Sequence, residues 1–191
     1  MENLKNKKMC LNIGCGNDYK KGFVNLDFNK AIRADIYADI SQKLPFDNDT
    51  FDYVYCSHTL EHFEKSQVFK IMEELCRICK KGAIMDIYVP HYTSVLAFKI
   101  PYHYSYYGVG TFRIFEEKET AMGERYSPTR LKVLREELHW VLRDYESWHF
   151  LKYLGVFNPI FNFGGRMWQT FMERFWPGGF DEIWYKIEVV K

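Results

Sequence analysis

The chain has 191 residues, a length that fits one domain with a single sizeable core. Its 26 lysines and arginines nearly balance 25 aspartates and glutamates, and a net charge of +1 does not indicate a nucleic-acid-binding surface. No apolar run is long enough for a membrane-spanning helix, and residues 1–8 are too polar for a signal peptide.

The first part of the chain predicts four short strands. Residues 9–13 form an apolar run that ends at a glycine turn, and residues 23–26 form a second run that ends at Asp27. Residues 34–37 predict a weaker third strand, and residues 51–56 predict a fourth. Strands that are separated by crossovers in this way are typical of a parallel α/β sheet.

A helix with one apolar face follows the fourth predicted strand. The apolar side chains at helical spacing are Val68, Ile71, Met72, Leu75 and Cys79. Residues 80–82 (Lys-Lys-Gly) predict the end of this helix, because cations and then glycine favour a helix C-terminus. Residues 83–89 predict a fifth strand, which Pro90 ends, and residues 183–190 predict the closing strand.

Segment 130–141 has two interpretations. Ser127 followed by Pro128 is typical of a helix N-terminus. The leucines and valine that continue at helical spacing are Leu131, Leu134, Leu138 and Val141. A sixth strand is nevertheless needed before residue 150. We favour the helix and leave the strand open.

Residues 11–16 (Leu-Asn-Ile-Gly-Cys-Gly) are a strand that runs into a G-x-G turn. Glycine allows a tight turn and lets a ligand approach the backbone closely. Asp27 lies eleven residues after Gly16, at the end of the second strand. A carboxylate at that position of a doubly wound sheet accepts hydrogen bonds from ribose hydroxyls. The turn alone is also typical of tight packing, but together with four further strands it indicates a cofactor site.

Four stretches of the chain carry a resemblance to a known family. They are residues 11–16, 22–27 (GFVNLD), 38–40 (ADI) and 44–63 (LPFDNDTFDYVYCSHTLEHF). In this order they resemble class I S-adenosylmethionine-dependent methyltransferases, most closely the small bacterial type-11-like group. Residues 90–98 and 182–191 are similar to that group too. The resemblance implies an α/β fold with a Rossmann-like sheet of strand order 3-2-1-4-5-7-6, in which strand seven is antiparallel.

The resemblance also implies S-adenosylmethionine as cofactor, with S-adenosylhomocysteine as product. Gly14 and Gly16 would border the methionine part of the cofactor, and Asp27 would bind its ribose hydroxyls. Asn12 takes the place of a more common acid beside the methionine amine. Only nine residues, 14–22, join the first two strands, so either the first helix has one or two turns or the second strand begins late.

The remaining implied cofactor contacts follow the third and fourth strands. Asp39 and Ile40 would face the adenine, with the carboxylate of Asp39 on the exocyclic amine. Ser57 and His58 would line the methionine end of the cofactor and the transfer site.

The implied activity is in-line transfer of the sulfonium methyl to an oxygen or nitrogen of a small-molecule or glycan-type acceptor. Alignment is the protein's main task, and a general base helps when the acceptor is a hydroxyl. His58, His91 and His103 are the candidate bases, because imidazole titrates near neutral pH. A catalytically inactive cofactor-binding partner subunit is the alternative function.

A metal site is a second alternative around the motif His-Thr-Leu-Glu-His at residues 58–62. On a helix the side chains of His58, Glu61 and His62 share one face, so they could hold a divalent ion together with His91 or His103. We favour the interpretation in which His58 borders the pocket and the other two cap the next helix. The sequence prediction is therefore that no metal is bound.

The chain is expected to form one domain with three parts: a cofactor-binding half (1–98), a substrate lid with an aromatic cap (99–182) and a closing strand (183–191). Aromatic residues are concentrated in the second part, where glycine-containing stretches at 162–165 and 177–179 predict two short helices. The lid tyrosines are Tyr102, Tyr104, Tyr106 and Tyr107. A cap on the core, a homodimer interface or apolar acceptor site, and peripheral membrane contact are the open interpretations of the aromatic residues.

The five cysteines have no spacing typical of a disulfide framework. We therefore expect free thiols and a cytoplasmic protein. Cys76 and Cys79 form a C-x-x-C pair late in the predicted helix, where packing is the favoured role.

Overall fold

The computed structural model describes residues 8–116, 127–140 and 151–191. Its strands are β1 (Cys10–Ile13), β2 (Val24–Asp27), β3 (Ile36–Tyr37), β4 (Phe51–Ser57), β5 (Cys79–Pro90), β6 (Leu131–His139) and β7 (Glu182–Val189). Its helices are α1 (Lys65–Ile78), α2 (Val95–Lys99), α3 (Asn158–Asn162) and α4 (Gly165–Phe175). Short 3-10 segments cover Leu60–His62, Thr111–Phe115 and Leu151–Phe157.

All seven strands form one sheet in the order β3-β2-β1-β4-β5-β7-β6. Strands β1 to β5 pair in parallel, and β7 is antiparallel to both of its neighbours. This confirms the predicted Rossmann-like topology, including its antiparallel strand. Because the parallel strands share one direction, the loops after β1, β2 and β4 meet at one edge of the sheet.

The two faces of the sheet differ in burial. On one face, alternate residues such as Cys56, Ile87 and Ile187 belong to the same buried cluster as the apolar stripe of α1. On the other face, aromatic side chains such as Tyr88 and Trp184 are half-buried, and these two rings stack with centroids 5.9 Å apart. The main core therefore lies between the sheet and α1.

Helix α1 has the predicted apolar face but ends earlier than predicted. A capping box between Glu64 and Gln67 begins it. It ends at Ile78, whose carbonyl accepts a hydrogen bond from the N–H of Thr50 at 2.7 Å. The next residue, Cys79, is the first residue of β5. The predicted helix end at residues 80–82 is wrong, since these residues belong to β5, in which Gly82 has a φ of 80°.

Residues 131–139 form β6, so the favoured helix in segment 130–141 is wrong and the strand interpretation, which the sequence leaves open, is confirmed. Leu131 and Val133 are buried, whereas Leu134 is 44% exposed. The register with β7 shifts between Val133 and Arg135. This irregularity breaks the alternation of the strand, so that the leucines imitate helical spacing. Residues 141–150 lie outside the described part of the chain.

The crossover between β1 and β2 contains turns and no helix, so the alternative of a helix with one or two turns is wrong. Asn12 and Asn25 hold this crossover together. The side-chain amide of Asn12 donates to the carbonyl of Asp18 at 2.7 Å and to Oδ1 of Asn25 at 2.9 Å. Oδ1 of Asn25 also accepts from the N–H of Lys20 at 2.8 Å. These side chains satisfy loop groups that a helix would satisfy through its own backbone.

The C-terminal aromatic segment forms α3 and α4, the two short helices that were predicted. Part of this segment packs inward: Phe161 and Phe180 are buried, with ring centroids 5.1 Å apart. Along α4, Met167, Phe171 and Phe175 are exposed on one side. Within the residues that the structure describes, no helix is both long and apolar enough to span a membrane.

Candidate active site

A cleft of about 480 Å³ opens at the carboxyl ends of β1, β2 and β4. Its lining residues are Gly14, Gly16, Asp27, Phe28, Asn29, Ile32, Ala38, Asp39, Ile40, His58, Thr59, His62, Phe63, Tyr102 and Tyr104. Six of the eight predicted cofactor-binding residues are among them, brought together from loops after four strands. This position is the one at which α/β sheets bind their ligands.

The glycine turn after β1 forms one wall of the cleft. Gly14 and Gly16 have positive φ values of 60° and 48°. A Cβ on Gly14 would lie 2.3 Å from Oγ1 of Thr59, whereas a Cβ on Gly16 would meet nothing within 4 Å. Gly14 is therefore required by the close approach of the loop after β4, and Gly16 by backbone conformation alone.

Asp27 is buried at the end of β2, and its carboxylate is held by two backbone donors. Oδ2 accepts from the N–H of Gly16 at 2.9 Å, and Oδ1 accepts from the N–H of Asn29 at 2.9 Å. Each oxygen of a carboxylate has a further acceptor position. The arrangement therefore presents an oriented acceptor pair at the cleft, which suits a vicinal diol.

Asp39 and Ile40 line the cleft from the loop that follows β3. Oδ1 of Asp39 accepts from the N–H of Ser41 at 2.8 Å, and Ile40 is buried. Phe28 and Ile32 contribute further apolar surface to this part of the lining. An apolar slot with a carboxylate at its rim suits a flat heteroaromatic ring with an amino group.

Asn12 and Ser57, the other two predicted cofactor-binding residues, are not among the lining residues. Asn12 is 2% exposed, and its amide is engaged behind the glycine turn. The carbonyl of Ser57 accepts a hydrogen bond from Oγ1 of Thr59 at 3.1 Å. Thr59, Phe28 and Phe63 line the cleft, although the sequence analysis did not select them. The sequence feature that could have identified them is their position next to residues of the motifs.

His58 lines the cleft and has the left-handed φ of 50°. Its Nε2 lies 2.9 Å from Oε2 of Glu182, its Nδ1 lies 3.3 Å from Oε1 of Glu61, and 38% of its side chain is exposed. Burial lowers the pKa of His58, but the hydrogen bonds and charges of Glu182 and Glu61 outweigh it and raise the pKa to about 9. His58 is therefore an imidazolium at neutral pH, which does not suit a general base.

An ionic network continues from His58 toward the edge of the sheet. Oε1 of the buried Glu182 lies 2.7 Å from Nδ1 of His139. The other ring nitrogen of His139 lies 3.7 Å from Glu137, which pairs in turn with Arg135. Strands β6 and β7 thus hold the carboxylate that orients His58.

His91 and His103, the other two candidate bases, do not line the cleft. His91 is fully buried, with its ring nitrogens 2.7 Å from Oγ1 of Thr93 and 2.7 Å from Oε1 of Glu173. His103 is 8% exposed, its ring packs edge-to-face on that of His62, and burial lowers its pKa. Of the three candidates, the structure places His58 alone at the cleft surface.

Comparisons with known proteins agree with this geometry. Residues 7–85 match the family model Methyltransf_11, a methyltransferase domain. The search of curated proteins gives no significant match.

Two solved structures illustrate the similarity of the fold. A SAM-dependent methyltransferase from Archaeoglobus fulgidus has a TM-score of 0.59 and 17% identity, with 96% of this chain and 87% of that chain covered. An S-adenosylmethionine-dependent methyltransferase from Mesorhizobium loti has a TM-score of 0.56 and 13% identity, with 95% and 91% covered. At these identities the likeness shows the fold.

The match of residues 7–85 to the methyltransferase-domain model and the complete sheet topology support a class I S-adenosylmethionine-dependent methyltransferase, with S-adenosylmethionine as its cofactor.

Proposed function

We propose that the protein transfers the methyl group of S-adenosylmethionine to an oxygen or nitrogen of a small-molecule or glycan-type acceptor. The observation that supports this is the lining of the cleft, in which the glycine turn and the oriented carboxylate of Asp27 occur together with the rings of His58, His62 and Tyr104. In the proposal, the glycine turn and Asp27 hold the cofactor, and the part lined by these rings, called the acceptor end, receives the acceptor.

In this proposal the cofactor follows the three loops at the sheet edge. Its methionine part lies along Gly14 and Gly16, its ribose hydroxyls bind Asp27, and its adenine lies against Ile40. The carboxylate of Asp39 accepts from the exocyclic amine. The close contact of the glycine turn with the loop after β4 supports this order, because it brings the methionine end beside His58.

Asn12 and Ser57 take positioning roles in the proposal rather than direct contacts with the cofactor. The amide of Asn12 ties the loop that follows the glycine turn to β2. The carbonyl of Ser57 orients Thr59, whose side chain packs against Gly14. Both residues would therefore act on the shape of the methionine end.

The reaction is an in-line displacement. The acceptor atom attacks the methyl carbon, the carbon–sulfur bond breaks with its electron pair passing to sulfur, and S-adenosylhomocysteine leaves. The acceptor's proton passes to water or to a base. Since the sulfonium is already activated, the protein contributes mainly alignment.

In this proposal, each of the three parts of the chain that the sequence predicts has its own role. Residues 1–98 bind the cofactor, residues 99–182 cover the acceptor, and residues 183–191 close the sheet. The exposed side of α4, with Met167 and Phe175, supports contact with a second copy of the chain or with a membrane surface. The near-zero net charge supports an acceptor other than nucleic acid, and the free described cysteines suit the cytoplasm.

The experiment is transfer of labelled methyl from S-adenosylmethionine to a panel of hydroxyl and amine acceptors, comparing the wild type with Tyr104→Ala. We expect the acceptor KM to rise by roughly tenfold in this variant (about 1.4 kcal/mol), with cofactor affinity within about twofold. Tyr106→Ala is the matched control, because Tyr106 is similarly exposed in the same segment but does not line the cleft. Absence of transfer to every acceptor by a folded, cofactor-binding protein would instead support the inactive partner subunit.

A further inference from the structure

Among the described residues, two buried polar atoms near the cleft have no hydrogen-bond partner. They are Oε2 of Glu61 and Nδ1 of His103, on side chains that are 1% and 8% exposed. A buried polar atom without a partner costs about 1–3 kcal/mol, so such atoms need a physical reason. Here they belong to two side chains that approach each other.

His62 completes the group. One potential ligand atom from each of Glu61, His62 and His103 lies within 4.8 Å of the other two. Ligand atoms that share an ion at about 2.1 Å lie roughly 3–4 Å apart, so small side-chain adjustments would bring the three onto one ion. Two imidazoles and one carboxylate on a common face are a donor set that divalent first-row transition metals favour.

The surrounding hydrogen bonds hold these side chains in place. Nδ1 of His62 lies 3.3 Å from the carbonyl of Tyr102. A carbonyl only accepts, so Nδ1 carries the proton and the other ring nitrogen keeps its lone pair. The carbonyl of Glu61 accepts from the N–H of Tyr104 at 2.7 Å and from that of Ser105 at 3.3 Å, which fixes the segment that carries His103.

We propose that Glu61, His62 and His103 bind a divalent transition-metal ion at the acceptor end of the cleft. This site differs from the sequence-based alternative, in which His58 was a ligand. Both nitrogens of His58 face carboxylates, of Glu182 and Glu61, and His103 takes its place. The proposal reverses the sequence prediction that no metal is bound.

The ion would act on the acceptor, and this part rests on the proposed function. His62 is exposed and lines the cleft, so an ion held by these three side chains would border the acceptor end. Such an ion would lower the pKa of an acceptor hydroxyl, whose proton would pass to water. The deprotonated oxygen would then attack the methyl carbon, with the carbon–sulfur electron pair passing to sulfur.

The test is titration of the chelator-treated full chain with Co²⁺, followed by its visible absorption and by competition with a chromophoric chelator. We expect one Co²⁺ per chain, displaced by Zn²⁺. Glu61→Gln and His62→Gln should each weaken binding by roughly tenfold or more. Asp47→Asn, which removes an exposed carboxylate far from this cluster in sequence, should leave the affinity unchanged.

Because His62 is exposed and Glu61 is buried, His62→Gln should disturb folding less than Glu61→Gln, and circular dichroism of each metal-free variant checks this. Failure to bind Co²⁺ in folded wild-type protein would overturn the proposal. Binding that is equally strong in Glu61→Gln and His62→Gln would also overturn it, because the ion would then lie elsewhere. Cofactor affinity measured on the same samples tests the proposed function separately.

Discussion

Two histidines follow neighbouring strands at the same edge of the sheet, yet only one reaches the cleft. His58 follows β4 and has 38% of its side chain exposed, whereas His91 follows β5 and is fully buried. Each contacts a glutamate from the C-terminal part of the chain, Glu182 or Glu173. The difference lies in what covers them, since α4 brings Glu173 over the end of β5. Strand position therefore selects candidate residues, and the covering helices decide which of them can meet a ligand.

The largest expected effect is the loss of stability in Glu173→Ala, which removes the side chain that covers His91 at the end of β5. Oε1 of Glu173 lies 2.7 Å from Nε2 of His91 and accepts from the N–H of Val109 at 2.6 Å. Removing it leaves both groups buried without this partner, which should lower the free energy of unfolding by about 4 kcal/mol. Urea denaturation measures this loss.

Thr170→Ala is the control, because Thr170 is exposed on the same helix and its loss should cost under about 0.5 kcal/mol. Equal stability of the two variants would contradict the structural role of the Glu173–His91 pair. The folded fraction of Glu173→Ala should bind cofactor normally, since Glu173 does not line the cleft.

In the glycine turn that lines the cleft, two substitutions should reduce the free energy of unfolding by different amounts. Gly14→Ala combines a positive φ with a Cβ 2.3 Å from Oγ1 of Thr59, and should cost about 2–3 kcal/mol in stability. Gly16→Ala has the positive φ alone and should cost about 1 kcal/mol. Thermal or urea unfolding compares them. Adding Thr59→Ala to Gly14→Ala should restore part of the stability; no recovery would argue against the close contact.

The smallest expected effect concerns the pKa of His58, which an NMR titration of the metal-free protein measures. Burial lowers its pKa, but Glu182 and Glu61 raise it to about 9, against a usual value of 6.5. The stability that protonated His58 contributes is therefore fully present below pH 6.5 and is lost as the pH rises through about 9. Glu182→Gln should lower the pKa, whereas Glu188→Gln on the same strand should not. A wild-type pKa near 6.5 would contradict the ion pairs.

The sheet and the cofactor side of the cleft could be predicted from the sequence because local signals determine them. Each strand of the first half is a short apolar run, and Gly14, Gly16 and Asp27 follow strand ends directly. Their convergence then follows from parallel pairing. Residues 131–139 could not be predicted correctly, because the irregularity near Leu134 removes the period of two on which strand recognition depends.

The surroundings of His58 and His91 could be predicted only in part, because contacts between distant segments form them. No local pattern shows that Glu173 covers His91 or that Glu182 reaches His58, since these partners are 82 and 124 residues apart. The approach of His103 to Glu61 is of the same kind. The role of Asn12 was also hidden, since its partner Asn25 lies on the next strand.

The most direct test of the account is calorimetric titration of S-adenosylmethionine and S-adenosylhomocysteine into the wild type, Asp27→Ala and Asp18→Ala. Asp18 is an exposed aspartate beside the same cleft loop, and its side chain pairs with Lys20. The account predicts micromolar binding of both ligands, weakened by roughly tenfold in Asp27→Ala (about 1.4 kcal/mol) and unchanged in Asp18→Ala. No binding to folded wild-type protein, or equal binding by Asp27→Ala, would contradict the assignment of this cleft to the cofactor.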